Sequence, residues 1–443
     1  MKRTLIMLSM LVLTAVSSTI ALAQDNESIE LSDKEIIKTG WNFGPLPVVG
    51  FDSDLGFQYG LCCDIFNFGD GTNYPSYNYK VNVEASRYTK GSSVLRCYGD
   101  FKNLIPDGKL FFDCTYFNAQ KFDFYGFNGY HSPFTPNYFE YFWDGGEKND
   151  VSVFNKMQRS QFRFVTSMQK KLVGHLNWAA GVAYYNIHTG RIGLEGYDNQ
   201  MTLYDIYRNA APALIREDEA DGGNVTQIKA GLIYDSRNHD SDPTRGLNIE
   251  ATIVAAPDII DQKGYSNVGF TFVGSQYVPV VGDKLTFAYR LGAQFKLWGE
   301  IPYYFTNNIN TLFFRKMYTE GLGGNASVRG INRNGVLGNG FAWLNTELRW
   351  RVCSFRLINQ NWGIALNPFF DAGKVTQPYR LEEQARLGSK YYSDQAEALH
   401  CTAGCGFKLV MNHNMVVSFE AAKPFNENDG NGLWTNIGFN YLF

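Results

Sequence analysis

The stretch LTFAYRLGAQFKLW, Leu285 to Trp298, decides the fold. Leu285, Phe287, Tyr289, Leu291, Ala293, Phe295 and Leu297 take every second position, and Thr286, Arg290, Gln294 and Lys296 share the other parity. Successive side chains of a strand face opposite ways, so this segment makes a strand with one apolar and one polar face. KVNVEAS repeats the pattern, with Val81, Val83 and Ala85 against Asn82, Glu84 and Ser86. In LNTELRWRV, Leu344, Leu348, Trp350 and Val352 oppose Asn345, Glu347, Arg349 and Arg351. Strands of soluble sandwiches usually run about 5 to 6 residues, whereas a tilted membrane strand needs about 9–11. Several runs here reach that length, and charge at alternate positions suits a water-filled interior. The expected class is all-β: a transmembrane antiparallel β-barrel.

The start of the chain agrees with export. Lys2 and Arg3 precede an apolar stretch from Leu5 to about Ile20, closed by Ala21-Leu22-Ala23, which reads as a secretory signal peptide over residues 1–23. Residues 24–49 are expected to be a short periplasmic tether with a brief helix in SDKEIIK, and residues 50–443 the barrel. No later stretch holds the ~20 consecutive apolar residues of a membrane helix. The formal net charge is -3 with no long Lys or Arg run, so the bilayer, and not nucleic acid, is the expected partner. Aromatic residues make up 16% of the chain, enough for girdles at both water boundaries. The seven cysteines are an odd count, so at least one is free or paired elsewhere; the rest read either as small wall hydrophobes or as a disulfide framework.

Turn signals at Gly69-Asp70-Gly71, Asp107-Gly108 and Gly282-Asp283 separate the strands. Gly126 to Asp150 and Gly190 to Asn224 read as longer surface loops, the first with room for a short helix in PNYFEYFW. Dividing the remainder into strand-plus-turn units gives about 12 to 16 strands, and 16 is the expected number. In TNIGFNYLF the outward parity holds Ile437, Phe439, Tyr441 and Phe443, with Gly438 and Asn440 inward. Gly438, Phe439, Tyr441 and Phe443 are therefore read as the aromatic carboxy-terminal sorting signal of bacterial outer-membrane barrels, which sets the outer membrane of a Gram-negative bacterium as the expected location.

An ordered set of motifs then resembles the superfamily of BamA, TamA and the two-partner secretion transporters, the bacterial surface antigen family. Ser327-Val328-Arg329-Gly330 is similar to the family's Val-Arg-Gly-aromatic loop motif, with Ile331 at the aromatic position. TELRW follows, and in NPFFDAGKV the residues Phe369, Asp371 and Gly373 match a Phe-x-Asp-x-Gly pattern. Asp235, Arg237, Pro243 and Gly246 are a weaker likeness to a strand–turn–strand signature. By parity Glu347 and Asp371 point inward, and two such carboxylates repel unless a cation joins them. The resemblance implies that a long loop folds into the lumen and brings Arg329 to both acids, with Val328 and Gly330 beside it. A guanidinium bridges carboxylates with bidentate, charge-assisted bonds, and at ~4 Å and an effective dielectric near 20 the Coulomb attraction is about 4 kcal/mol.

Nothing points to an enzyme. The six histidines, His131, His175, His188, His239, His400 and His413, are scattered, and no Gly-x-Ser-x-Gly elbow, His-Glu-x-x-His helix or phosphate loop is present. Asp52 with Asp54 and Asp240 with Asp242 read as turn formers, so neither a metal nor a cofactor is expected. The tether has no room for the periplasmic POTRA domains usual in the family, and periplasmic or outer-membrane partner proteins are expected to replace them. The resemblance implies assembly or transport of outer-membrane components. The alternative reading is a passive pore or a structural subunit of a larger outer-membrane complex.

Overall fold

The computed structural model describes residues 37–443 apart from 53–54, 75, 103, 134–141, 145–146, 150–152, 194–200, 240, 311–320, 358–359, 413–414, 431 and 440. The strands are β1 (Trp41–Asp52), β2 (Gly56–Asn67), β3 (Tyr79–Tyr88), β4 (Ser93–Lys102), β5 (Gly108–Asp123), β6 (Phe142–Asp144), β7 (Glu147–Asn149), β8 (Lys156–Val173) and β9 (Leu176–Gly190). They continue as β10 (Gly222–Asp235), β11 (Gly246–Ala256), β12 (Asn267–Val281), β13 (Leu285–Gly299), β14 (Gly340–Leu357), β15 (Gln360–Gln377), β16 (His400–Met411), β17 (Met415–Pro424) and β18 (Trp434–Phe439). β6 and β7 pair only with each other; the other sixteen close into an antiparallel barrel in which sequence neighbours are hydrogen-bonded neighbours and β1 meets β18.

The wall obeys the alternation. On β13, Phe287, Leu291 and Leu297 are exposed, whereas Thr286, Ala288 and Gln294 are buried; on β14, Leu348 and Trp350 are exposed and Asn345, Glu347 and Arg349 buried. The seven cysteines are free.

One boundary and one element differ from expectation. The barrel begins at Trp41, nine residues before Gly50, because WNFGPLPVVGFD pairs with β2 from Trp41↔Asn67 to Asp52↔Gly56. Pro45 and Pro47 break the strand signature of this run, yet they fit an edge where no N–H is demanded. The proposed signal peptide and residues 24–36, with most of SDKEIIK, lie outside the described residues. In PNYFEYFW, Pro136–Tyr141 also lie outside them, and Phe142 and Trp143 belong to strand β6 instead of a helix.

The two ends of the barrel are unlike. One carries the shorter connections, 68–78 and 236–245 being its longest; the other carries the connections 124–155, 191–221, 300–339 and 378–399, with helix α1 (Leu203–Asn209) in the second and α2 (Leu381–Ala385) in the fourth. A capping box between Thr202 and Asp205 starts α1. Phe124, Phe127, Tyr204, Tyr207, Tyr303, Tyr304, Phe305 and Tyr379 form one buried cluster there. β5 and β15, which lead into Phe127 and Tyr379, stand opposite each other in the ring. The rings of Phe127 and Tyr379 lie 4.6 Å apart, and Asn128 Nδ2 donates to the Tyr379 carbonyl at 2.7 Å, so the chain spans this mouth. Burial pushes the Tyr207 phenol up to about 12, which keeps it a neutral partner of Ser132 and Gln384.

Candidate functional site

Arg329 is fully buried against the inward faces of β14, β15 and β17. Its Nε and Nη2 donate to the two Asp371 oxygens at 2.8 and 3.0 Å, a bidentate fork, and its backbone N–H donates to Asp371 Oδ2 at 3.0 Å. Nη1 donates to Glu347 Oε1 at 2.6 Å and to Glu420 Oε1 at 3.0 Å. The guanidinium also lies 3.5 Å from the centroid of the Phe369 ring, a cation–π contact shielded from water. Arg349 donates to the second Glu347 oxygen at 2.8 Å and Lys408 to Glu420 at 2.5 Å. The cluster thus sets Arg329, Arg349 and Lys408 against Glu347, Asp371 and Glu420. Burial without such compensation would cost several kcal/mol per ion.

The flanking glycines are explained by space. Gly330 has φ +99°, and a Cβ there would sit 3.0 Å from the Ala422 Cβ and 3.2 Å from that of Thr402. A Cβ on Gly373 would come within 2.8 Å of Val328 Cγ2 and 3.0 Å of Leu322 Cδ1. Val328 is buried with Leu322, Ile331, Val336, Phe341, Trp343 and Val375 in one cluster. The loop is further held by Asn345 Nδ2 donating to the Ser327 carbonyl at 2.6 Å and Arg290 to the Ala326 carbonyl at 3.0 Å. Val328, Arg329, Gly330, Glu347, Phe369, Asp371 and Gly373 are therefore brought together.

Glu420 and Lys408 were not picked out by sequence reasoning, though a signal existed. In MVVSFEAAKP, Val416, Ser418, Glu420 and Ala422 share the buried parity and Phe419 is exposed. An inward carboxylate two strands from Asp371 was thus legible, but not that Arg329 would reach it.

The last strand departs from its expected pattern. Trp434 and Asn436 are buried, which gives Gly438 inward parity as expected, and Phe439 ends β18. Tyr441 and Phe443, expected outside, are buried, as is Leu442. Arg349 Nη2 donates to the Phe443 carbonyl at 2.8 Å, and its guanidinium lies 4.2 Å from the Tyr441 ring and 4.9 Å from the Phe443 ring. Arg290 lies 5.3 Å from the Phe443 ring, while Leu442 and Phe443 cluster with Tyr277 and Ala288. The chain has left the wall here, and parity counted along the sequence no longer reports the face.

Elsewhere, Arg237 grips Asp235 at the start of the β10–β11 turn, and Gly246, with φ +109°, resumes the wall. Asp242 pairs with Arg351. His400 bonds Asp429 and Glu397 at the long-loop end. Among the described residues, no group of three or more His, Cys, Asp or Glu side chains is arranged to hold a metal ion.

A family model for the Omp85 superfamily domain matches residues 111–441. Among solved structures, BamA from Haemophilus ducreyi lacking POTRA domains 1–3 is similar with a TM-score of 0.54 at 14% identity, covering 91% of this chain and 70% of that one. CdiB from Escherichia coli is similar with a TM-score of 0.54 at 11% identity, covering 93% of this chain and 66% of that one. No curated protein matches the sequence. The sixteen-strand closed barrel, its lipid-ready outer face and the match across most of its wall make this chain a β-barrel of the Gram-negative outer membrane that belongs to the Omp85 superfamily.

Proposed function

We propose that this barrel assembles or translocates outer-membrane components through the junction of β1 and β18. The observation that carries the reading is the shortness of that junction: the described pairs are Phe51↔Ile437 and Asp52↔Asn436, whereas β1 pairs with β2 along its whole length. In a bilayer each unpaired backbone group costs several kcal/mol, so a short seam is the place where the wall parts and the bilayer is disturbed most cheaply. The loop through Val328, Arg329 and Gly330 serves as the lumen anchor that keeps the rest of the wall together, with Glu347 and Asp371 as its receptors.

The alternative, a passive pore or structural subunit, fits less well with the aromatic cluster that spans the long-loop mouth. A periplasmic or outer-membrane partner delivers the cargo. The exposed short-turn hairpin ends, Lys170–His175 and Val278–Lys284, support such docking. Gly438, Phe439, Tyr441 and Phe443 act as the sorting signal during the barrel's own assembly.

The test is a seam staple. Asp52→Cys with Asn436→Cys, oxidised in the purified barrel, is reconstituted in liposomes and the folding of a urea-denatured outer-membrane protein is timed. The reading expects acceleration that disappears in the stapled form and returns with reductant. Equal rates with and without the barrel, together with steady ion conductance in a planar bilayer, would instead favour the pore.

A further inference from the structure

β1 limits how far the seam can run. Backbone groups of successive residues in an antiparallel strand face alternate neighbours. The Phe68 N–H donates to the Gly40 carbonyl, so the even positions of β1 face β2 and the odd positions face β18. The same alternation runs round the other side: the Phe425 N–H donates to the Cys401 carbonyl, which turns even positions of β17 toward β18 and odd positions of β18 toward β1. Both routes meet at Phe51↔Ile437, a hydrogen-bonded row.

Extending that register places Val49 opposite Phe439, Pro47 opposite Tyr441 and Pro45 opposite Phe443. Proline has no N–H. The two rows in which Tyr441 and Phe443 would continue the seam are thus the rows in which β1 has no donor to offer. Each would leave a strand carbonyl unpaired at the lipid face, where such groups are costly. The segment instead has a built berth inside, where Arg349 serves the Phe443 carbonyl and the two aromatic rings, and Tyr277 and Ala288 receive Leu442 and Phe443.

We infer that Pro45 and Pro47 are a seam limit: they bar the β1–β18 ladder from running past the Val49–Phe439 row and so commit Tyr441–Phe443 to a docking site on the inner wall centred on Arg349. The device bounds the greatest length of the seam by backbone chemistry and needs no cargo, so it stands apart from the assembly activity proposed above.

Disulfide trapping in the full-length barrel tests this. Leu442→Cys is combined with Ala288→Cys, which reports the docked segment, or with Leu46→Cys, which lies opposite position 442 in the extended register. Products are identified by peptide mass spectrometry, which separates them from links to native cysteines. The expected result is a 288–442 link and little 46–442 link. Adding Pro45→Val with Pro47→Val should move the ratio toward 46–442 by about tenfold or more, as two backbone hydrogen bonds of ordinary strength become available. A 46–442 link that already dominates with both prolines present would overturn the docking site. An unchanged ratio in the valine variant would overturn the role of the prolines. Should the double variant not fold, Pro47→Val alone restores the row opposite Tyr441 and is read the same way.

Discussion

Replacing Arg329 with alanine should undock the loop without dissolving the barrel, and the structure sets the size of the effect. The side chain bonds Asp371 twice, Glu347 once and Glu420 once. Glu347 keeps Arg349 and Glu420 keeps Lys408, so the deficit falls mainly on Asp371. The loss is therefore that of one broken buried ion pair, about 3–5 kcal/mol, and not three times that. This corresponds to a fall of roughly 10²- to 4 × 10³-fold in the ratio of docked to undocked loop. Trypsin cleavage after Arg333, which is 1% exposed, reads the loop directly, and urea unfolding in lipid vesicles reads the whole barrel. Cleavage should accelerate about 10²-fold or more, with a smaller shift in the unfolding midpoint. Arg329→Lys should fall between, because an ammonium keeps the charge and loses the fork. Arg329→Ala combined with Asp371→Asn should recover part of the loss by removing the stranded carboxylate. Native cleavage rates in Arg329→Ala would refute the reasoning.

Other expectations follow from single contacts. Gly373→Ala should destabilise loop docking by about 1–3 kcal/mol through its clash with Val328, and Val328→Ala in the same chain should restore much of it, both read by the same trypsin assay. Glu420→Gln should speed cleavage after Arg333 less than Asp371→Asn does, since Glu420 makes one bond to Arg329 and Asp371 makes three. Tyr379→Ala with Phe127→Ala should raise single-channel conductance by opening the mouth those rings cross; an unaltered conductance trace would argue that the mouth is closed elsewhere. Deletion of Phe443 should reduce the yield of heat-modifiable barrel in outer membranes, and normal yield would remove the sorting role.

What the sequence disclosed and what it withheld divide along a physical line. Alternation reports which face a side chain takes while the backbone stays in a ladder, so the outward set of Leu285–Trp298 and the inward Glu347 and Asp371 were legible. It does not report which inward groups meet across the lumen, and Glu420 was missed for that reason. The resemblance supplied the partner of Glu347 and Asp371; composition alone did not. Strand propensity clips β1, because Gly44, Pro45 and Pro47 resemble a loop, although the exposed parity of Trp41, Phe43, Val49 and Phe51 runs through them. The same prolines explain the error at Tyr441 and Phe443, where counting by twos continued after the ladder had stopped.

The Arg329 cluster also makes the ring mechanically lopsided. Its ion pairs tie together β14, β15 and β17, all on the β18 side of the seam, and Asn325 extends the tie to Asn436 on β18 itself. On the other side, none of the ties just named reaches β1 or β2. If the wall parts, the β18 side behaves as a fixed jamb and the amino-terminal hairpins as the leaf, so spin labels on β2 and β3 should travel farther relative to the Arg329 loop than labels on β16 and β17.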